Sequence, residues 1–212
     1  MLKFITSRRI VRAYNEESFF GLIIYGPQGI GKSTYMLKVM YEVLEDWGLV
    51  FENLAFSIDD VIDLIKRTKR RRLTVVGLDD VGIHLHKYIA LEDKDLSRLI
   101  TNWVDVVRTK CSALLLTTVH PGNILKGVRE SLGFHYGRVL RIQGEPLFRA
   151  VKVYRQVFVP PNETWLSSVY IDTFRCRLPN KVYDYYVKLR REFYERVEET
   201  LLKKVEERER RS

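Results

Sequence analysis

The chain has 212 residues, 46% hydrophobic and 30% charged, with Lys+Arg 36 against Asp+Glu 27 and a formal net charge of +9. That length allows one sizeable α/β domain plus a small appendage, and the basic balance points to a polyanionic partner, most often nucleic acid. Cys111 and Cys176 are the only cysteines. Without a CxxC pair they argue against a zinc site or a disulfide framework. A single Cys111–Cys176 bridge stays open, because proteins of hyperthermophiles carry intracellular disulfides. Abundant Lys, Arg, Glu and Tyr beside only three glutamines, Gln28, Gln143 and Gln156, lean towards a thermophile. No apolar run reaches membrane-spanning length and the start lacks a signal-peptide core, so a soluble, cytoplasmic protein is expected.

In chain order, FFGLIIY (19–25) reads as a buried parallel strand. It runs directly into GPQGIGKST. Residues 33–46 follow with Met36, Val39, Met40 and Val43 at helical spacing. LVFENLAF (49–56) predicts a strand, and IDDVIDLIKR (58–67) a helix with Ser57 as N-cap. A basic run occupies 66–72. LTVVGLDD (73–80) is an apolar strand ending in two acids, 93–108 a helix, and SALLLTTV (112–119) a further buried strand. A short helix is expected over 123–131. YGRVLRI (136–142) and FRAVKVYRQVFV (148–159) alternate as a hairpin about the turn Gly144-Glu145-Pro146. From Asn180 to Arg210, Val182, Tyr186, Leu189, Phe193, Val197, Leu201 and Val205 mark one long helix.

The fold expected is therefore α/β, a three-layer αβα P-loop NTPase core on a parallel sheet, with a β-hairpin extension and a long C-terminal helix. The domain boundaries expected are 1–160 for the core with its hairpin and 161–212 for the helical extension. The apolar stripe of the long helix is a packing face, for the core or for another subunit.

Gly26-Pro27-Gln28-Gly29-Ile30-Gly31-Lys32-Ser33 matches GxxxxGK[ST] between an apolar strand and an amphipathic helix. Glycines let the backbone curl so that successive N–H groups face phosphate oxygens, and the helix start adds its positive end. Lys32 is the group for the β- and γ-phosphates, the Ser33 hydroxyl for Mg²⁺, and Thr34 for the α-phosphate. Asp79 and Asp80 end an apolar strand, where a carboxylate pair faces the ligand crevice. Asp79 is the candidate for holding Mg²⁺ and Asp80 for orienting or deprotonating the attacking water. The cofactors expected are ATP, with GTP left open, and Mg²⁺.

The strand–helix unit at 49–72, between the two motifs, resembles the additional-strand group of P-loop ATPases, which includes AAA+ and RecA-like motors. In that group a polar residue closing the next strand senses the γ-phosphate. The resemblance places Thr117 and Thr118 there, Thr118 being preferred. It also implies an arginine supplied between subunits, for which Arg108, Arg129 and Arg138 are candidates and Arg129 has the matching position. Residues 22–142 resemble the ATPase core of bacterial helicase loaders and replication initiators, through GPQGIGKST, TVVGLDDVG and LLLTTVHP. They also resemble P-loop ATPases encoded by archaeal viruses and plasmids, through DDVGIHLHKY and the ending YIDTFRCRLPNKVYDYYVKLRREF (170–193).

These resemblances imply a Mg-dependent ATPase acting on DNA in replication, packaging or transfer of a mobile genetic element, working in host cytoplasm if viral. They imply a homo-oligomer and a replication or packaging partner protein. A small-molecule kinase and a nucleotide-dependent assembly module with little turnover are the alternatives. DNA contact without sequence preference is expected from the charge, the 66–72 run and Arg8, Arg9 and Arg12. His84 and His86 follow the acids with no third ligand in evidence, so polar contact is expected of them in place of metal binding.

Overall fold

The apolar run at 19–25 becomes β1 (Phe20–Tyr25). The computed structural model describes residues 2–67, 72–81, 106–124, 128, 134–159 and 163–209. A first helix, α1 (Ile5–Asn15), precedes β1, and α2 (Lys32–Leu44) follows the glycine-rich loop. Next come α3 (Trp47–Glu52), β2 (Leu54–Ala55), α4 (Ile58–Arg67), β3 (Val76–Leu78) and β4 (Ala113–Thr118). After the 3-10 turn Pro121–Asn123, β5 (Phe134–Ile142), β6 (Glu145–Val159), β7 (Glu163–Arg175) and α5 (Asn180–Glu209) follow among the described residues.

The seven strands of the described residues lie in one sheet, ordered β2-β3-β4-β1-β5-β6-β7. β2, β3, β4, β1 and β5 are parallel, and β6 and β7 are antiparallel additions. The fold is thus α/β with a mostly parallel sheet. β4 is buried at every position because helices cover both of its faces, which is why SALLLTTV is apolar without alternation. On one face Ile23, Leu114, Leu116 and Leu78 pack with Val61 and Leu64 of α4 and with Val107 and Val128. On the other, Met36 and Met40 of α2 lie over Gly77, where an added Cβ would meet the Met40 sulfur at 2.6 Å. A larger residue at Gly77 would push α2 off the sheet, since packed interiors have no spare volume.

Three expectations change. LVFENLAF is not one strand: Asp46 accepts from the Leu49 amide at 2.8 Å and starts α3, and Trp47 stacks on Tyr41 of α2 at 4.3 Å. A cap and an aromatic contact override the β-propensity of Val50 and Phe51. The β5–β6 turn is Gln143-Gly144, with Gly144 at φ +78° and Ile142 paired to Glu145, so Glu145 and Pro146 belong to β6. The boundary expected at 160 also moves. β7 pairs with β6 from Glu163 to Arg175, and the chain divides into units 1–177 and 178–212. By itself, α5 carries i,i+4 ion pairs Arg191–Glu195 and Lys188–Glu192 on its exposed side. The helix over 58–67 starts as expected: the Ser57 hydroxyl accepts from the Asp60 amide at 3.0 Å and the Asp60 carboxylate accepts from the Ser57 amide at 2.9 Å.

Candidate functional site

The phosphate loop leaves β1 at its carboxyl end and enters α2 without a spacer. Gly29 and Gly31 adopt φ +72° and +106°, the left-handed region that side chains disfavour. Crowding adds to the constraint at Gly31, where a Cβ would sit 2.4 Å from the Cys176 sulfur. Pro27, Gln28 and Gly29 form the exposed tip, and Gly26 and Ile30 are buried beneath it. Lys32 Nζ donates to the carbonyls of Gly26 at 3.0 Å and Pro27 at 3.1 Å, so its ammonium folds over the loop. Thr34 lies half-buried in the first turn of α2.

β3 delivers the first acid to the same end of the sheet. Asp79 is 1% exposed, and its Oδ1 accepts from Ser33 Oγ at 2.8 Å and from Thr117 Oγ1. Ser33 and Asp79 are hard oxygen donors side by side, the kind of donors Mg²⁺ takes. Asp80 follows at φ +54°, a conformation Asp tolerates better than most residues, and its amide donates to Thr117 Oγ1 at 2.8 Å. Thr117 therefore joins the two residues, through one hydroxyl that donates to the Asp79 carboxylate and accepts from the Asp80 backbone amide.

Thr117 and Thr118 are adjacent on β4 and point to opposite faces of the sheet, as strand geometry requires. Thr118 Oγ1 donates to the His120 carbonyl at 3.2 Å. Of the two threonines, it is Thr117 that reaches Asp79, although Thr118 is the one preferred from sequence. The spatial order explains the contact: β4 lies between β1 and β3. The strand inserted in sequence between the two motifs, β2, lies at the sheet edge instead.

The arginine candidates separate. Arg129, His84 and His86 lie outside the described residues. Arg138 is exposed and lies opposite Tyr25 in the register of β1 and β5, at the end of the sheet that carries the glycine-rich loop. Burial pushes the Tyr25 phenol up, and Arg138 pulls it partly back. Arg108 stands over the Phe19 ring at 5.7 Å, at the other end of β1. Both cysteines are free thiols, so the Cys111–Cys176 bridge is not formed. Among the described residues no cluster of three or more His, Cys, Asp or Glu offers a further metal site. Among them, too, no helix is long and apolar enough to cross a membrane.

A second buried carboxylate was not foreseen from the residues alone. Asp172 on β7 is 4% exposed and accepts from the Ile5 amide at 2.7 Å, the Thr6 amide at 3.1 Å and Tyr35 Oη at 2.7 Å. With the Tyr35 proton committed to Asp172, Thr6 Oγ1 must donate to Tyr35 Oη, and Tyr170 Oη to Thr6 Oγ1. Burial raises the pKa of both phenols, Asp172 adding to it, so both remain protonated donors. Glu42 of α2 accepts from the Lys3 and Phe4 amides, which leaves the start of α1 held by two carboxylates. The signal available in sequence was the alternation of Tyr170, Asp172 and Phe174, which an inward-facing acid obscures.

No family model matches the chain. It is 28% identical over 212 residues to the uncharacterized protein B-251 of Sulfolobus spindle-shape virus 1, covering 91% of this chain and 82% of that protein. It is 24% identical over 159 residues to the uncharacterized protein ORF286 of Acidianus two-tailed virus, covering 73% of this chain and 54% of that one. Among solved structures, the N-terminal domain of zonular occludens toxin from Neisseria meningitidis matches with a TM-score of 0.44 and 13% identity, over 79% of this chain and 98% of that domain. A KaiC-like protein from Pyrococcus horikoshii matches with a TM-score of 0.39 and 13% identity, over 71% and 84%.

Proposed function

We propose that the chain is a Mg²⁺-dependent ATPase that acts on DNA in replication, packaging or transfer of a mobile genetic element. The observation that carries the reading is the Ser33–Asp79–Thr117 cluster at the carboxyl ends of β1, β3 and β4, with Lys32 folded over the adjoining loop. In this reading the loop amides and Lys32 hold the phosphates, and Ser33 and Asp79 hold Mg²⁺. When bound, the ion neutralises charge on the β- and γ-phosphates. Asp80 orients the attacking water and takes its proton. Thr117, in place of Thr118, registers the γ-phosphate, because its hydroxyl links the Asp79 carboxylate to the Asp80 backbone. Of the three arginines considered from sequence, Arg138 is the one described at the right end of the sheet to serve a neighbouring subunit in a homo-oligomer, and Arg129 keeps its candidacy from sequence. The DNA role is supported by the net charge of +9 and by relatives in two archaeal viruses, which also favour the host cytoplasm as the place of action.

The test is ATP and GTP turnover with Mg²⁺, without a phosphoryl acceptor, in the presence and absence of single- and double-stranded DNA. Turnover stimulated by DNA is expected. Lys32→Ala should lower it on the order of 100-fold with an unchanged melting temperature. Turnover that appears only with a small-molecule acceptor would make the protein a kinase. An ATP-dependent rise in mass without turnover would make it an assembly module.

A further inference from the structure

We infer that the end of the sheet opposite the phosphate loop is the DNA-contacting surface, a groove between α1 and the leading ends of β1 and β5 that holds the phosphodiester backbone. This rests on the proposed action on DNA and adds the place where it occurs.

The groove encloses about 420 Å³, and its lining includes Arg8, Arg9, Arg12, Glu16, Phe19 and His135. Arg8 and Arg12 are one helical turn apart on the exposed side of α1. Arg9 stands over the Tyr170 ring at 5.0 Å, and His135 packs on Phe20 at 5.0 Å. Two arginines from distant parts of the sequence join them. Arg72 donates to the Ser18 carbonyl at 2.7 Å, and Arg108 covers the Phe19 ring. Arg72 leads into β3 and Arg108 towards β4, so the leading ends of successive parallel strands gather positive charge at one place. Among the described lining residues Glu16 is the acidic one, and it is ion-paired to Arg12 at 2.7 Å.

Charge and shape select the occupant. Guanidinium groups present paired N–H donors that match phosphate oxygens, and their charge releases counterions from a nucleic acid. A concave groove with an aromatic wall accepts a strand better than a flat lipid surface. Contacts of this kind position a backbone without reading bases, so affinity should be independent of sequence. The six residues of β1 separate the groove from the nucleotide by roughly 20 Å at about 3.3 Å per residue. The two sites can therefore be occupied together. They are joined through α1, whose first amides are held by Asp172, the carboxylate that also binds Tyr35 of α2.

The experiment is a fluorescence-anisotropy titration of the full chain with labelled random-sequence DNA, single- and double-stranded, at low and moderate salt. Arg8→Ala/Arg12→Ala should weaken binding at least about tenfold and reduce the salt slope by about 2, one for each phosphate that no longer meets a guanidinium. Its ATP turnover without DNA should equal that of the wild type. Glu16→Gln should tighten binding by about threefold, because it frees Arg12 and removes the groove's negative charge. An unchanged melting temperature of Glu16→Gln would separate this gain from exposure of basic groups by unfolding. Wild-type binding that neither variant alters would place the DNA elsewhere and overturn the inference, leaving the proposed function intact. Absence of wild-type DNA binding at low salt would overturn both. Binding to phosphatidylserine vesicles in place of DNA, or full competition by inorganic phosphate at matched ionic strength, would also overturn the inference.

Discussion

Asp79 and Asp172 are both buried carboxylates on sheet strands, and both accept a hydroxyl from the region of α2. Their other partners differ. Among the described contacts, the Asp79 carboxylate is held by the hydroxyls of Ser33 and Thr117, side-chain groups that can turn to a ligand without unfolding anything. Asp172 is held by the amides of Ile5 and Thr6, which cannot leave unless the start of α1 comes apart. In the proposed reading, the acid satisfied by side chains is a ligand site and the acid satisfied by backbone amides is a structural clamp. Burial alone does not distinguish the two.

The same isosteric change at each position tests the contrast. Asp79→Asn should lower ATP hydrolysis on the order of 100-fold. It should change stability by under about 1 kcal/mol, because its amide oxygen still accepts from a hydroxyl. Asp172→Asn should cost about 2–3 kcal/mol in a urea melt, since the amide nitrogen then faces a donor in either orientation, the Ile5 N–H on one side or the Thr6 N–H and Tyr35 O–H on the other. Its hydrolysis per folded molecule should stay within a few fold. Equal losses of stability at both positions would end the distinction.

A smaller effect separates two neighbours on one strand. Thr117→Val removes the hydroxyl that joins Asp79 to the Asp80 amide, and it should reduce turnover by about tenfold with ATP affinity largely kept. Thr118→Val removes a contact to the His120 carbonyl only among those described, and should stay within about twofold. The reverse ranking would return the role to Thr118.

The smallest expected effect concerns the thiols. Burial pushes the Cys111 thiol up to about 12, so it should resist iodoacetamide in the native protein at neutral pH. Cys176 is half-buried beside Gly31 of the phosphate loop and should label. Saturating Mg-ATP should slow that labelling. Two equally fast thiols would mean that the parallel half of the sheet opens as readily as the β7 end.

The phosphate loop, β1, α2, α4, β3, β4 and α5 can all be read from the residues alone. Each is a contiguous segment whose apolar spacing, cap or glycine pattern is enough to define it, and the same patterns mark Lys32, Ser33, Asp79 and Asp80 as candidates. Long-range packing settled the remainder. Whether Thr117 or Thr118 meets the acids depends on which face of β4 turns towards α2. The helix within LVFENLAF formed because Tyr41 and Asp46 captured Trp47 and Leu49. β7 joined the core because β6 offered it an edge and because Asp172 found α1 across 166 positions of chain. Arg8, Arg12, Arg72 and Arg108 are scattered in sequence, and only the parallel winding of the strands brings their leading ends together. Such contacts join segments far apart in the chain, and no local periodicity records them.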